Sequence, residues 1–135
     1  MTTQLSVRLK DRPGELSKLS DLMGANGVNI RAFTASVHGD DSQFHMVVDE
    51  VEKAKDALRA RGYDVHEHAV VVVEAPDHPG GLNAILKPLK EDGVNVSFLY
   101  PMIGRDQDDA VLILGPDDAE RAARALRRNY IKILE

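Results

Sequence analysis

Two short motifs in this sequence combine an aspartate, a proline and a glycine in a way that could hold a charged small molecule. They read D-R-P-G at residues 11–14 and D-H-P-G at residues 77–80, and a helical pattern of apolar residues follows the first. The first N–H groups of a helix are unpaired and carry a partial positive charge, so they can hold a carboxylate. The glycine leaves room for close approach, and the aspartate can accept hydrogen bonds from an ammonium group. Each motif therefore predicts a site for a zwitterion such as an amino acid.

A second motif follows each copy of the first. It reads G-V-N-I at residues 27–30 and G-V-N-V at residues 93–96, which adds Asn29 and Asn95 as possible acceptors. Both pairs of motifs are offset by the same 66 residues, so the chain contains two copies of one unit with no gap between the motifs. We expect one domain in residues 1–68 and a second in residues 69–135.

Simpler structural roles remain open for these residues. Asp11 and Asp77 could cap the helix or fix the turn through nearby backbone N–H groups. Asn29 and Asn95 could satisfy a local turn at the head of a strand, and the motif glycines could serve turn geometry alone. Both the structural and the ligand-binding roles are carried forward.

The two copies differ where a ligand would be in contact. Arg12 and Glu15 flank the first turn, whereas His78 and Gly81 flank the second. We expect the two sites to differ in charge and in room.

The elements around the motifs follow the order β-α-β-β-α-β in each copy. Apolar residues alternate between residues 5 and 9, which indicates a half-buried strand, and Leu16, Leu19 and Leu22 recur at helical spacing. Pro88 falls inside the first helix of the second copy and predicts a bend near Ile85. The order predicts an α+β fold of two ferredoxin-like units, whose antiparallel sheets carry both helices on one face. The predicted strands are 5–9, 28–37, 43–49, 63–68, 70–75, 94–103, 110–114 and 130–134, and the predicted second-copy turn is 105–109.

Composition excludes several classes of protein. The formal net charge is −5, which disfavours a nucleic-acid partner, and no apolar run approaches the roughly 20 residues of a membrane helix. The start of the sequence does not resemble a secretion signal, so we expect a cytoplasmic protein. The densest basic stretch is predicted to be a solvated helix face. Its members are Arg121, Arg124, Arg127 and Arg128.

Catalytic and metal-binding patterns are weak in this sequence. No cysteine is present, and no nucleophile with a matching acid or base stands out, so we expect no enzyme and no cofactor. His66 and His68 share one strand face, but a third metal ligand is not evident, and a solvated pair is favoured. The pairs Asp40-Asp41 and Asp108-Asp109 resemble calcium-loop fragments that are better explained as turn residues.

The sequence resembles the ACT domain, the small regulatory module of amino-acid metabolism. The resemblance lies in an apolar strand, a D-x-P-G turn, a leucine-spaced helix and a following strand that begins with G-V-N-[IV]. The resemblance covers essentially the whole chain, as two copies in tandem without a catalytic domain. The chain is most similar to stand-alone tandem ACT proteins whose second copy reads D-x-P-G-G-L, as residues 77–82 do. Relatives that sense serine carry a histidine where this chain has Leu9 and Ala75, so serine recognition of that kind is not expected.

The resemblance implies a regulatory protein that holds an amino acid between ACT units, where the strand-to-helix loop of one domain faces the second strand of a neighbour. The alternative is a non-catalytic regulatory subunit that binds a separately encoded metabolic enzyme. Open sheet edges also predict a homodimer. The expected ligand-binding residues of the first copy are Asp11, Arg12, Pro13, Gly14, Glu15, Leu16, Asn29 and Ile30. Those of the second copy are Asp77, His78, Pro79, Gly80, Gly81, Leu82, Asn95 and Val96.

Overall fold

The computed structural model describes residues 1–103 and 110–134. The chain divides into two compact units, Thr3–His68 and Ala69–Glu135, with Met1–Thr2 grouped with the second. Each unit has the order βαββαβ, so the predicted α+β class with two ferredoxin-like units is confirmed. The turn predicted at residues 105–109, which includes Asp108 and Asp109, lies outside the described residues.

The first unit is a four-stranded sheet with two helices. Strand order is β2-β3-β1-β4, and the β1–β3 and β2–β3 pairs are antiparallel. Its core joins alternate residues of the strands, such as Leu5 and Met46, to Leu19 and Leu58 from the two helices. The elements are β1 Thr2–Lys10, α1 Glu15–Ala25, β2 Ile30–His38, β3 Asp41–Val48, α2 Val51–Ala60 and β4 Val65–Ala75.

The second unit repeats the arrangement with the later part of β4 as its first strand. Its strand order is β7-β4-β6-β5, and all three pairs are antiparallel. Val71 and Leu114 from the sheet pack with Ile85 and Leu126 from the helices. The remaining elements are α3 Gly81–Glu91, β5 Val96–Pro101, β6 Ala110–Pro116, α4 Ala119–Arg128 and β7 Ile133–Leu134.

Strand β4 differs from the expectation. Two strands were predicted at 63–68 and 70–75, but the structure has one continuous strand, Val65–Ala75. No glycine or proline occurs within it, so nothing in the local chemistry interrupts the extended backbone. One strand therefore closes the first unit and opens the second.

Pro88 lies within helix α3, and its side chain is buried. The helix continues past it, with the Asp92 N–H donating to the Pro88 carbonyl at 3.1 Å. Proline has no N–H to offer to the carbonyl of Ala84, which is an exposed residue and can bind water instead. The bend near Ile85 stays a prediction.

In the described part of the chain, no helix is both long enough and apolar enough to cross a membrane.

Candidate ligand-binding site

Both helices that follow a D-x-P-G motif begin at a glycine in the left-handed conformation. Gly14 precedes α1 with φ 89°, and Gly80 precedes α3 with φ 84°. A side chain would strain the backbone at this φ, which is sufficient reason for glycine at both positions. A β-carbon built on either residue would meet no atom within 4 Å, so the space above each turn is open. Turn geometry explains the glycines, and the same geometry leaves room for a ligand.

The two motif aspartates do not cap these helices. Within the described residues, no side chain accepts a hydrogen bond from the first N–H groups of α1 or α3. Helix α4 shows the contrast, because the Asp118 carboxylate accepts from the Arg121 N–H at 3.1 Å. Asp11 and Asp77 are exposed, and the capping role considered for them is not observed. Their carboxylates are therefore available to a ligand.

The first turn carries its own ion pair. The Arg12 Nε donates to Glu15 Oε1 at 2.8 Å, and the Lys18 Nζ lies 3.8 Å from the same oxygen. The hydrogen bond from Arg12, with the charges of Lys18 and Arg12, lowers the pKa of the Glu15 carboxyl, although partial burial opposes this. Glu15 thus keeps a negative charge in the first turn of α1. A ligand carboxylate at this turn would meet a carboxylate that is already present.

At the second D-x-P-G motif, the helix that follows, α3, has no acidic residue in its first turn. The His78 Nδ1 lies 2.8 Å from the Pro79 carbonyl, to which it donates when it carries the proton. Gly81 is buried, and a β-carbon on it would lie 1.8 Å from the Pro76 carbonyl oxygen. Close packing against Pro76 therefore requires glycine here.

Asn29 and Asn95 occupy equivalent positions, and each is held through its backbone. The Asn29 N–H donates to Asp49 Oδ1 at 2.8 Å, and the Asp49 N–H donates back to the Asn29 carbonyl at 3.2 Å. Asn95 and Asp117 repeat the exchange at 3.2 and 2.9 Å. Both asparagines are exposed, so the backbone bonds fix them and leave the side-chain amides on the surface.

The sequence interpretation missed Asp49 and Asp117. Each aspartate follows directly on the strand that precedes the second helix of its copy, in V-V-D and G-P-D respectively. This common position was the available signal. It predicts a hydrogen bond to the asparagine only when the end of β3 or β6 is known to lie beside the start of β2 or β5.

A single unit does not bring all of its predicted site residues together. The turn at 11–14 precedes α1, and Asn29 follows it. The 11 residues of the helix separate the two positions by about 16 Å. The Asp11 N–H donates to the carbonyl of Asp40, before β3, whereas Asn29 is bound to Asp49, after β3. In the second unit, the 11-residue helix α3 likewise lies between residues 77–80 and Asn95.

Apolar side chains are exposed at equivalent places in the two copies. Leu16 and Leu82, in the first turns of α1 and α3, are both 46% exposed. Strands β2 and β5 each lie at one edge of the sheet of their unit, and four large apolar residues on or just after them are exposed. These are Phe33 and Val37 on β2, Leu99 on β5 and Ile103 just after it. Ile30 and Val96, at the starts of these strands, are half-buried.

Among the described residues, no three histidine, aspartate or glutamate side chains are grouped so as to hold a metal ion. His66 instead lies 3.2 Å from the carboxylate of Asp64.

Comparison with protein families gives a match to the first part of the chain. The family model of the ACT domain matches residues 3–62, which is nearly all of the first unit. No curated protein matches the sequence.

Several solved structures resemble the chain over nearly its whole length. Protein BT0572 from Bacteroides thetaiotaomicron has a TM-score of 0.91 and 22% identity, over 98% of this chain and 91% of that one. The ligand-free regulatory subunit of aspartate kinase from Thermus thermophilus has a TM-score of 0.69 and 17% identity, over 96% and 93% of the two chains. The aspartokinase alpha and beta subunits give 0.67 and 19%, over 96% and 92%. At these identities the likeness is one of fold.

Proposed function

We propose that this chain is a non-catalytic regulatory protein that binds an amino acid at its strand-to-helix turns, with tandem ACT domains in residues 1–68 and 69–135. The observation that carries the proposal is the duplicated turn. In both units an uncapped helix begins at a left-handed glycine, beside an exposed aspartate. The second unit, to which the family match does not extend, is included because it repeats the fold and both motifs.

The chemistry of the turn suits a zwitterion. The ligand carboxylate accepts hydrogen bonds from N–H groups in the first turn of the helix, where the helix dipole favours negative charge. The Glu15 and Gly81 N–H groups are not among them, because they donate to the Arg12 and His78 carbonyls at 3.4 and 2.9 Å. The ammonium group pairs with the exposed carboxylate of Asp11 or Asp77. Leu16 or Leu82 offers an apolar surface to the ligand side chain.

A neighbouring ACT unit from a second copy of the chain completes each site. Asn29 and Asn95 lie a helix length from the turn of their own unit, so an asparagine that contacts the ligand must come from elsewhere. The exposed apolar residues on β2 and β5 are suited to an interface between copies. A homodimer is therefore part of the proposal.

The second turn is the stronger site. Glu15 places a carboxylate at the start of α1 and repels a ligand carboxylate there, whereas α3 has no acidic residue in its first turn. We expect the amino acid to bind at Asp77–Leu82 with higher affinity than at the first turn.

A thermal-shift screen against the common amino acids tests this function. A ligand at 100 times its dissociation constant stabilises the folded protein by about 2.7 kcal/mol. Each of Asp77→Asn and Asp11→Asn removes the negative charge that pairs with the ammonium group. Asp77→Asn should reduce the shift strongly and Asp11→Asn should reduce it less, because the second turn is the stronger site. Asp21→Asn, an exposed aspartate on α1, is the matched control and should bind as the wild type does. If no amino acid shifts the melting temperature and calorimetry is also flat, this function is wrong.

The second candidate is a regulatory subunit of a separately encoded metabolic enzyme, with ligand sites that no longer bind. The exposed apolar residues on β2 and β5 favour it, since they could equally receive an enzyme. Co-purification of one enzyme with the tagged protein, reduced by Phe33→Ser and Leu99→Ser, together with no amino-acid response, would support it. A light-scattering mass of a dimer, returned to a monomer by the same variants, would favour the first candidate.

A further inference from the structure

All four helices end in the same hydrogen-bonded turn. In α2, the Gly62 N–H donates to Arg59 and the Tyr63 N–H donates to Leu58. In α4, the Tyr130 N–H donates to Arg127 and the Ile131 N–H donates to Leu126, each at 3.0 Å. This pattern places the second residue after the helix in the left-handed conformation. The position is occupied by Gly27, Gly62, Gly93 and Tyr130.

Tyr130 is the exception in this series. Its φ is 59°, and it is the one residue other than glycine with positive φ in the described part of the chain. A β-carbon is strained in this conformation, so glycine is the stable choice, as in the other three helices. Tyr130 is also 98% exposed, so packing of its ring does not offset the strain. Strain without internal compensation points to a role outside the folded unit.

Exposed arginines lie along α4, the helix that precedes Tyr130, and two of them are held in place. Asp92 Oδ2 accepts from the Arg121 Nε at 3.1 Å, and Asp92 Oδ1 accepts from the Arg128 Nη2 at 3.0 Å. The hydrogen bond from Arg121 is the main cause of a lowered pKa of the Asp92 carboxyl, and the hydrogen bond from Arg128 adds to it. Partial burial of Asp92 opposes this lowering. A guanidinium has five N–H donors, more than these contacts use, so both arginines can still bind a further carboxylate. Arg124, one turn from each of them on α4, is exposed.

We infer that the exposed arginine face of α4, with Arg121, Arg124 and Arg128, together with Tyr130 after the helix, is a docking surface for an acidic segment of another protein. Carboxylates of the partner pair with the ordered guanidinium groups, and an apolar residue between them packs on the tyrosine ring. Tyrosine and arginine are the residue types enriched at the energetic centres of interfaces. A short acidic segment matches the limited extent of this basic face, whereas a nucleic acid needs a broader basic surface.

This surface is separate from the proposed amino-acid site of its own unit. Asp92 follows the C-terminal end of α3, and residues 77–80 precede its N-terminal end, about 16 Å away along 11 residues. The inference therefore goes beyond the proposed function and does not depend on a bound ligand.

Titration of the isotope-labelled full chain with an acetylated decapeptide, EDELEDELED, tests the surface by NMR. We expect chemical-shift changes at residues 121–131 that weaken in about 0.5 M NaCl, where charge interactions are screened. Arg124→Glu should abolish them. Arg59→Glu, the same charge change on exposed residue 59 of α2, should leave them unchanged.

Two substitutions of Tyr130 separate strain from recognition. Tyr130→Gly removes both the ring and the strain, so it should lose the peptide response while its melting temperature rises by a few degrees. Tyr130→Ala removes the ring and keeps the strained backbone, so it should lose the response without that rise. A melting temperature at or above the wild type also shows that the variant is folded.

Three results would overturn the proposal. The first is no shift change with the acidic peptide, and the second is an unchanged response in Tyr130→Gly. The third is a response to single-stranded DNA but not to the peptide, which would assign the surface to nucleic acid. A second copy of the chain as the occupant would appear as a concentration-dependent mass that Tyr130→Gly abolishes, and this also contradicts an acidic partner segment.

Discussion

Asn29 and Asp49 hold each other through two hydrogen bonds, in which each backbone N–H donates to an oxygen of the other residue. The pair joins the start of β2 to the end of β3. Asn95 and Asp117 make the same exchange in the second unit. The repeated asparagine therefore has a structural role through its backbone, and its side chain is exposed.

Removing the Asp49 carboxylate should destabilise the first unit. Asp49→Ala leaves the Asn29 N–H without its acceptor and should lower the free energy of unfolding by about 1 kcal/mol. Asp49→Asn keeps an oxygen at the same position and should retain most of the stability. Urea denaturation of the three proteins measures the difference. Equal midpoints for Asp49→Ala and Asp49→Asn would show that the bond does not contribute.

Substituting alanine for two helical glycines should change stability in opposite directions. Gly81→Ala brings a β-carbon against the Pro76 carbonyl and should cost about 1–3 kcal/mol, because the backbone must move. Gly24→Ala, in α1, meets no atom within 4 Å and should stabilise by about 0.5–1 kcal/mol. Thermal unfolding of both variants beside the wild type is the measurement. A neutral Gly81→Ala would mean that the turn before α3 can shift without cost.

Stability should fall as His45 is protonated. Burial, with smaller effects of His68 and His38, lowers the pKa of His45 in the folded protein below its usual value of about 6.5. Its imidazole lies on β3 with Nδ1 2.7 Å from the Ser6 hydroxyl of β1, and Gln4 of the same strand also lies near. Because the folded state resists protonation, the contribution is fully present above pH of about 6.5 and is lost as pH falls toward the lower folded value.

Urea unfolding across this range gives the test of His45. His45→Gln should flatten the decline, whereas His66→Gln, on the exposed start of β4, should keep it. Glu15 and Asp92 also have lowered pKa values, but their contributions are lost only below pH of about 4, so the windows do not overlap. A decline that is the same in His45→Gln would assign the effect to another group.

Local patterns predicted most of the fold. The alternation at Leu5, Val7 and Leu9 and the spacing of Leu16, Leu19 and Leu22 predicted a strand and a helix, and both are present. Burial follows these patterns only in part, because Ser6 on the other face of β1 is buried and Leu16 is exposed. The continuity of β4 could not be predicted this way, because two short strands and one long strand have the same local chemistry. Turn geometry was one of the two roles considered for Gly14 and Gly80, and their left-handed φ angles are consistent with it.

The candidate site was less predictable than the fold. Asp11 and Asn29 were both named as possible acceptors, and within one unit α1 lies between them; this separation depends on where the helix lies rather than on motif spacing. Asp49 and Asp117 were missed because a hydrogen bond between the ends of two strands has no local signature. The left-handed backbone of Tyr130 could not be predicted from the sequence either, because the equivalent position after the other three described helices is occupied by glycine.

Replacing Glu15 should strengthen ligand binding at the first turn. Glu15→Gln removes the carboxylate at the start of α1 and releases Arg12 and Lys18 from their contacts with it, so the turn becomes more favourable to a ligand carboxylate. Calorimetry with an amino acid found by the screen should then show a gain in affinity at the first turn, with the second turn unchanged. Asp21→Asn removes one negative charge from the same helix and is the control for net charge. Equal affinities in Glu15→Gln and the wild type would mean that Glu15 does not compete with the ligand, and the difference between the two turns would need another cause.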